Sequence, residues 1–178
     1  LVDYEKKLKL SPKIVGLVQV SNALGTVNPI KEMTKLAHKA GAVVVVDGSQ
    51  SIPHMKVDKK DLGCDFFAFS GHKMLAPMGS GVLWGRKELL EAMPPFMGGG
   101  GMISEVYESG FVPGELPDKF EAGTPNVEAA VGLMAAIEYL EKLGMDSVRE
   151  HDKEIVYYAL SRLSEVGEVE ILGTRDVE

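Results

Sequence analysis

The chain has 178 residues, 45% hydrophobic and 25% charged, with mean hydropathy near zero, the proportions of a soluble globular protein with one sizeable core. A net charge of −7 argues against a nucleic-acid or anionic-membrane partner, because either needs a basic surface to displace counterions. No apolar run approaches the roughly 20 residues that span a bilayer, and no signal peptide is visible in Leu1-Val2-Asp3-Tyr4-Glu5-Lys6. Cys64 is the only cysteine, which excludes intrachain disulfides and makes a reducing cytoplasm the default compartment. The chain starts without Met and stops at Glu178, so it is expected to be the middle and early C-terminal part of a longer protein.

In chain order, residues 14–20 form a short apolar run rich in β-branched side chains and predict a buried strand. Pro29 opens a helix where its missing N–H costs nothing, and Gly41 closes it. Residues 42–47, Ala-Val-Val-Val-Val-Asp, predict a strand apolar on both faces, which belongs to a parallel sheet covered by helices. Further strands are predicted at 65–69 and 80–84. The link between them is too short for a crossover helix, so this pair should be antiparallel. A helix over 86–93 ends at Pro94-Pro95, and the Gly- and Pro-rich stretch from Gly98 to Pro125 reads as loop. A helix over 126–143 places Val127, Val131, Met134, Ile137 and Leu140 on one stripe and ends at Gly144. A second helix over 146–166 carries Val148, Ile155, Tyr158, Ala159 and Leu163, followed by a strand at 168–172. The fold class is α/β.

Open parallel sheets bind ligands at the carboxyl ends of their strands. Asn22 follows the first strand, Asp47 and Gln50 the second, and Ser70, His72 and Lys73 the third. An acid, an amide, a hydroxyl, an imidazole and an amine around one rim suit pyridoxal phosphate. Its aldehyde needs a lysine amine, its ring nitrogen a carboxylate, and its phosphate hydrogen-bond donors. Asp47, at the mouth of an apolar strand, is expected to be poorly solvated and to pair with the ring nitrogen, a bond worth about 1.5–3 kcal/mol.

The runs Val46-Asp47-Gly48-Ser49-Gln50-Ser51 and Asp65-Phe66-Phe67-Ala68-Phe69-Ser70-Gly71-His72-Lys73 resemble the core of the class V aminotransferase family, fold type I. The nearest branch is that of SUF-type cysteine desulfurases and selenocysteine lyases. Ser21-Asn22-Ala23-Leu24-Gly25, Gly79-Ser80-Gly81-Val82-Leu83, Gly98–Gly101 with Met102-Ile103, and Phe120-Glu121-Ala122-Gly123-Thr124-Pro125-Asn126 extend the likeness over essentially the whole chain.

The resemblance implies a large domain with a mostly parallel sheet, helices on both faces and one antiparallel strand. Residues 1–125 would be the C-terminal part of this pyridoxal-phosphate-binding domain, and 126–178 a connecting helix and the start of a small α+β domain. It makes Lys73 the lysine that carries the cofactor as a Schiff base, Asp47 the partner of the ring nitrogen and Gln50 that of the ring hydroxyl oxygen. Ser70 and His72 become phosphate ligands, and Asn22 sits between cofactor and substrate carboxylate. Thr124 reaches the phosphate of the other subunit, which implies a homodimer. The implied substrate is L-cysteine or L-selenocysteine, with a sulfur-acceptor protein as partner and iron–sulfur cluster assembly as destination. An aminotransferase, a selenocysteine lyase or a kynureninase-like lyase are the alternatives within the family, and an inactive fragment is another. The family's ring-stacking histidine and first phosphate loop would precede Leu1, and its persulfide cysteine and substrate-binding arginine would follow Glu178.

Plainer readings stand beside these. Lys73 as a solvated loop lysine, His72 as a loop histidine, Asp47 as a strand terminator and Ser70 as a turn or cap hydroxyl are all chemically ordinary. Asn22 suits a turn, and Thr124 could cap the following helix. Cys64 reads as structural, since nothing basic flanks it. His38 and His54 read as surface or helix-end residues, and His151 as a satisfied core histidine. The nine methionines read as core filling, and the four glycines as a phosphate cradle or simply a tight loop. No metal site is read from the sequence.

Overall fold

The computed structural model describes residues 1–176, so the last two positions of the expected 126–178 unit lie outside the described residues. The elements run α1 (Val2–Leu8), β1 (Ile14–Val18), α2 (Ile30–Lys39), β2 (Val43–Asp47), α3 (Lys59–Leu62) and β3 (Phe66–Ser70). A one-turn 3-10 helix (Gly71–Met74) leads to β4 (Gly81–Gly85), α4 (Lys87–Ala92), β5 (Ile103–Tyr107) and β6 (Gly110–Pro113). After a further 3-10 turn (Asp118–Phe120) come α5 (Val127–Leu143) and α6 (Met145–Ser164).

Strands β1 to β4 form one sheet in sequence order. The first three are parallel, and β4 returns antiparallel to β3, as the short connection requires. Leu17, Val46, Phe67 and Trp84 stand opposite one another across all four strands. This row faces the core with Val44, and Ile30 and Ala37 of α2 and Leu8 of α1 pack into the same cluster. In α2 the buried positions Ile30, Thr34 and Ala37 recur at helical spacing, which is why the helix lies along the sheet. The next row, Val18, Asp47, Ala68 and Leu83, points to the opposite face. On that face Leu90 of α4 and the Phe66 ring close over Gly85, while Ile14, Val18 and Leu83 stay exposed.

Four expectations change. The loop-like stretch contains the hairpin β5–β6, joined by the two-residue turn Glu108-Ser109. In α5 the predicted stripe is largely outside: Val127, Val131, Met134 and Ile137 are 38–61% exposed. The helix instead packs through Ala129, Gly132, Ala136 and Leu140, because Gly132 lies so close to Pro77 that a Cβ there would come within 2.4 Å of its Cγ. His151 is exposed on α6, which buries none of its residues. Residues 168–172 form no strand, having no strand beside them among the described residues to complete a ladder.

At the amino end of β3 the buried Asp65 gathers three partners. Its carboxylate accepts from Val44 N (2.8 Å), lies 2.8 Å from His38 Nε2, and accepts from Arg86 Nη1 at 3.2 Å. Burial by itself would raise this carboxyl, but the Val44 amide, His38 and Arg86 outweigh it and hold the group below its ordinary range. His38 is thus a partner of a buried acid as well as a helix-end residue. Since the folded-state value is depressed, the contribution is present above the unfolded value near pH 4 and is lost as pH falls through the folded one. Replacing Asp65 by Ala is expected to cost about 3 kcal/mol in urea unfolding followed by the fluorescence of Trp84, and to flatten stability against pH below about 4.

Candidate functional site

The sheet places its polar rim where parallel strands end. Asp47 closes β2 on the outward-facing row and Ser70 closes β3 two residues beyond Ala68, the register partner of Asp47, so both side chains share one face. The Asp47 carboxylate is exposed rather than poorly solvated as expected, because that face lies away from α2. Its Oδ1 accepts from Ser49 N at 2.8 Å, an Asx turn that aims the carboxylate across the turn 48–51. Gly48 is obligatory there: a Cβ would fall 2.0 Å from Cζ of Phe67. The half-buried Gln50 donates through Nε2 to Asn22 Oδ1, which joins the first two strand ends directly. Asn22 is therefore both a turn residue and a member of the rim.

Beyond Ser70 the chain enters the single 3-10 turn that carries His72 and Lys73. Gly71 donates its N–H to Ser80 O at 2.9 Å, and a Cβ on it would meet Ser80 Oγ at 2.0 Å, so β3 and β4 close tightly at this point. Met74 is buried, Leu75 takes a left-handed φ of 70°, and Ala76 N bonds Gly71 O at 3.1 Å. A side chain in that region costs about 1 kcal/mol or more, which the buried Met74 and Ala76 offset. The turn is therefore fixed while His72 and Lys73 project outward, both exposed, with neither engaged by a hydrogen bond or ion pair among the described residues. Ser70 makes no side-chain cap bond to the turn, which leaves its hydroxyl available.

Thr124 is exposed just before α5. The helix cap is Asn126, whose Oδ1 accepts from Ala129 N at 3.0 Å, so Thr124 is not needed as the cap. Asn126 Nδ2 lies 3.6 Å from where a Cβ on Gly79 would stand, which brings the start of α5 against the loop that follows Lys73. The glycine run packs through backbone: Gly123 N bonds Gly100 O at 2.8 Å, and Gly99 lies against Ala122. Cys64 is buried in the core and burial raises its thiol, as its structural reading expects. His54 Nδ1 stands 2.9 Å from Asp152 Oδ2 of α6, a contact not foreseen from the sequence. Also unforeseen were Gln19 and Ser51, buried beneath the rim; a polar residue within the otherwise apolar run 14–20 was the only signal for the first.

A mostly parallel α/β sheet with an exposed lysine on the turn after its third strand, and a carboxylate and a hydroxyl at the ends of its second and third strands, has the arrangement with which open α/β domains bind ligands at the carboxyl edge. The class-V aminotransferase model matches residues 1–178, and the chain belongs to that family. It is 52% identical over 173 residues to a probable cysteine desulfurase of Halalkalibacterium halodurans, covering 96% of this chain and 42% of that protein. It is 45% identical to a cysteine desulfurase of Synechococcus elongatus, over 98% of this chain and 28% of that protein. The apo structure of cysteine desulfurase from Thermococcus onnurineus superposes with a TM-score of 0.93 at 41% identity, over 99% of this chain and 44% of that one. The chain thus spans less than half the length of these relatives.

Gly48→Ala is expected to force the Phe67 ring or the Asp47 turn aside and to cost about 1–3 kcal/mol, read as a lower urea midpoint. An unchanged midpoint would mean that the turn is not packed as described.

Proposed function

We propose that this chain carries the cofactor-binding core of a pyridoxal-phosphate-dependent cysteine desulfurase, which converts L-cysteine to L-alanine and retains the sulfur as an enzyme persulfide. The observation that carries the reading is an exposed, unengaged Lys73 on the turn directly after Ser70, which shares one sheet face with Asp47, in a chain about half identical to proteins named as cysteine desulfurases. The donor set fits the cofactor. Lys73 Nζ would hold its aldehyde carbon, Asp47 the proton on its ring nitrogen, and Gln50 its ring hydroxyl oxygen. Ser70 and His72 would hold the phosphate, Asn22 would lie between cofactor and substrate carboxylate, and Thr124 would serve the phosphate of a second subunit in a homodimer. When bound, the cofactor supplies an electron sink for bonds at the substrate's α-carbon.

Holding the cofactor in place is the work of this chain's residues. The Asx turn keeps the Asp47 carboxylate aimed, the closed Gly71–Ser80 contact fixes the base of the lysine turn, and the Gln50–Asn22 bond bridges two strand ends. Residues 1–125 form the cofactor-binding part in this reading, and 126–178 connect to a second, smaller domain. Persulfide formation and substrate-carboxylate binding belong to parts of a longer enzyme. A sulfur-acceptor protein, iron–sulfur cluster assembly and a cytoplasmic setting complete the proposal. No helix among the described residues is long and apolar enough to cross a membrane.

Incubation with pyridoxal phosphate, borohydride reduction and peptide mass mapping should place one adduct on Lys73, absent from Lys73→Ala. A spread over surface lysines would overturn the anchor. In the longer enzyme, Asp47→Ala should keep the Lys73 adduct while lowering kcat about 100-fold or more. The 178-residue chain alone should release no alanine or sulfide from cysteine at enzymatic rates. Selenide release from selenocysteine by the longer enzyme, without sulfide from cysteine, would move the assignment to the lyase.

A further inference from the structure

Beneath the rim lies a buried polar pair that the cofactor reading does not use. Ser51 has no exposed surface and Gln19 is 5% exposed. Ser51 Oγ donates to Gln19 Oε1 at 2.7 Å and lies 3.1 Å from Gly48 O. Gln19 also donates its backbone N–H to Asp47 O at 2.9 Å, and its own carbonyl accepts from Asn28 N at 2.8 Å. One residue therefore grips the turn 47–51 at both ends, at the Asp47 carbonyl through its backbone and at the Ser51 hydroxyl through its side chain.

We infer that Gln19 and Ser51 are positioning residues for the cofactor ring, acting from below through Asp47 and Gln50. Ser51 is covalently next to Gln50, whose amide meets Asn22, and Gln19 lies three residues before Asn22. The buried bond thus joins the undersides of the two segments whose upper sides present the carboxylate and the amides. Without it, the turn keeps its Asx bond and its backbone bonds to Gln19 and Ala68 at Asp47 and Gly48, but loses the side-chain tie that holds its Ser51 end. A buried hydroxyl or amide left without its partner must also find another, which displaces the Ser51 end of the turn and Gln50 beside it. The inference rests on the cofactor reading above and adds two residues to it.

The test uses the longer enzyme loaded with pyridoxal phosphate. Ser51→Ala and Gln19→Met remove one partner each, Ser51→Thr keeps the hydroxyl, and Asp58→Ala removes the distant cap of α3 as a purely structural control. Cofactor affinity and the pH midpoint of the visible absorbance of the Lys73 adduct are measured beside stability. Ser51→Ala and Gln19→Met should still form the adduct on Lys73, hold the cofactor about tenfold more weakly, and raise the midpoint. The midpoint rises because a loosened Asp47 releases the ring proton, removing a positive charge that opposes protonation of the nearby adduct nitrogen. Ser51→Thr and Asp58→Ala should lose stability with the midpoint unmoved. A wild-type midpoint and affinity in both Ser51→Ala and Gln19→Met, with the adduct mapped to Lys73, would overturn the inference and leave the cofactor reading standing. If one of them does not fold the other decides, and failure of both would make the pair structural and overturn it too. Absence of a Lys73 adduct in the unmutated enzyme would overturn the cofactor reading itself.

Discussion

Leu17, Val46, Phe67 and Trp84 lie side by side across four strands and turn the same way, toward the cluster that holds Ile30 and Ala37 of α2. Because side chains alternate along a strand, slipping any one of these strands by a single residue would exchange its core face for its open face. For β2 that slip would carry the Asp47 carboxylate into the core in place of Val46, an uncompensated charge costing several kcal/mol. Apolar burial on one side of the sheet therefore dictates where the acid and the hydroxyl stand on the other.

That dependence explains why the rim is built on glycines. Gly48 and Gly71 sit where the strand ends must pass within contact distance of Phe67 and Ser80, leaving no room for a Cβ. These close approaches hold the backbone, while His72 and Lys73 remain exposed. The fixed part of this rim is main chain and core, and the exposed part is a few side chains set upon it.

The sheet was legible because its strands are short and apolar, β-branched in β1 and β2 and aromatic in β3, and the antiparallel return of β4 followed from connection length alone. The rim was legible for the same reason: Asp47, Ser70 and Lys73 come abruptly after apolar runs. The hairpin β5–β6 was hidden because its weakly alternating strands sit among glycines and prolines that dominate a local reading. Helix α1 was hidden because only Leu8 of its seven residues is buried and charges obscure its period. The stripe assigned to α5 was misjudged because apolar periodicity does not say which face is covered: Ala129, Gly132 and Ala136 allow closer approach than the valines do. Ser51 escaped notice because a buried serine is no different in sequence from the turn serine two positions before it.

Strand β1 has a neighbour on one side only among the described residues, and it exposes Ile14 and Val18 along the sheet. A five-residue strand with a vacant ladder edge among the described residues and no proline or charge within it is a template for another chain's backbone. The overall charge of −7 repels copies at long range, but it is screened beyond roughly 8 Å in physiological salt, whereas ladder pairing acts at contact. Colloidal behaviour of these 178 residues in isolation is thus governed by salt, through the balance between a charged exterior and open main-chain edges such as residues 14–18.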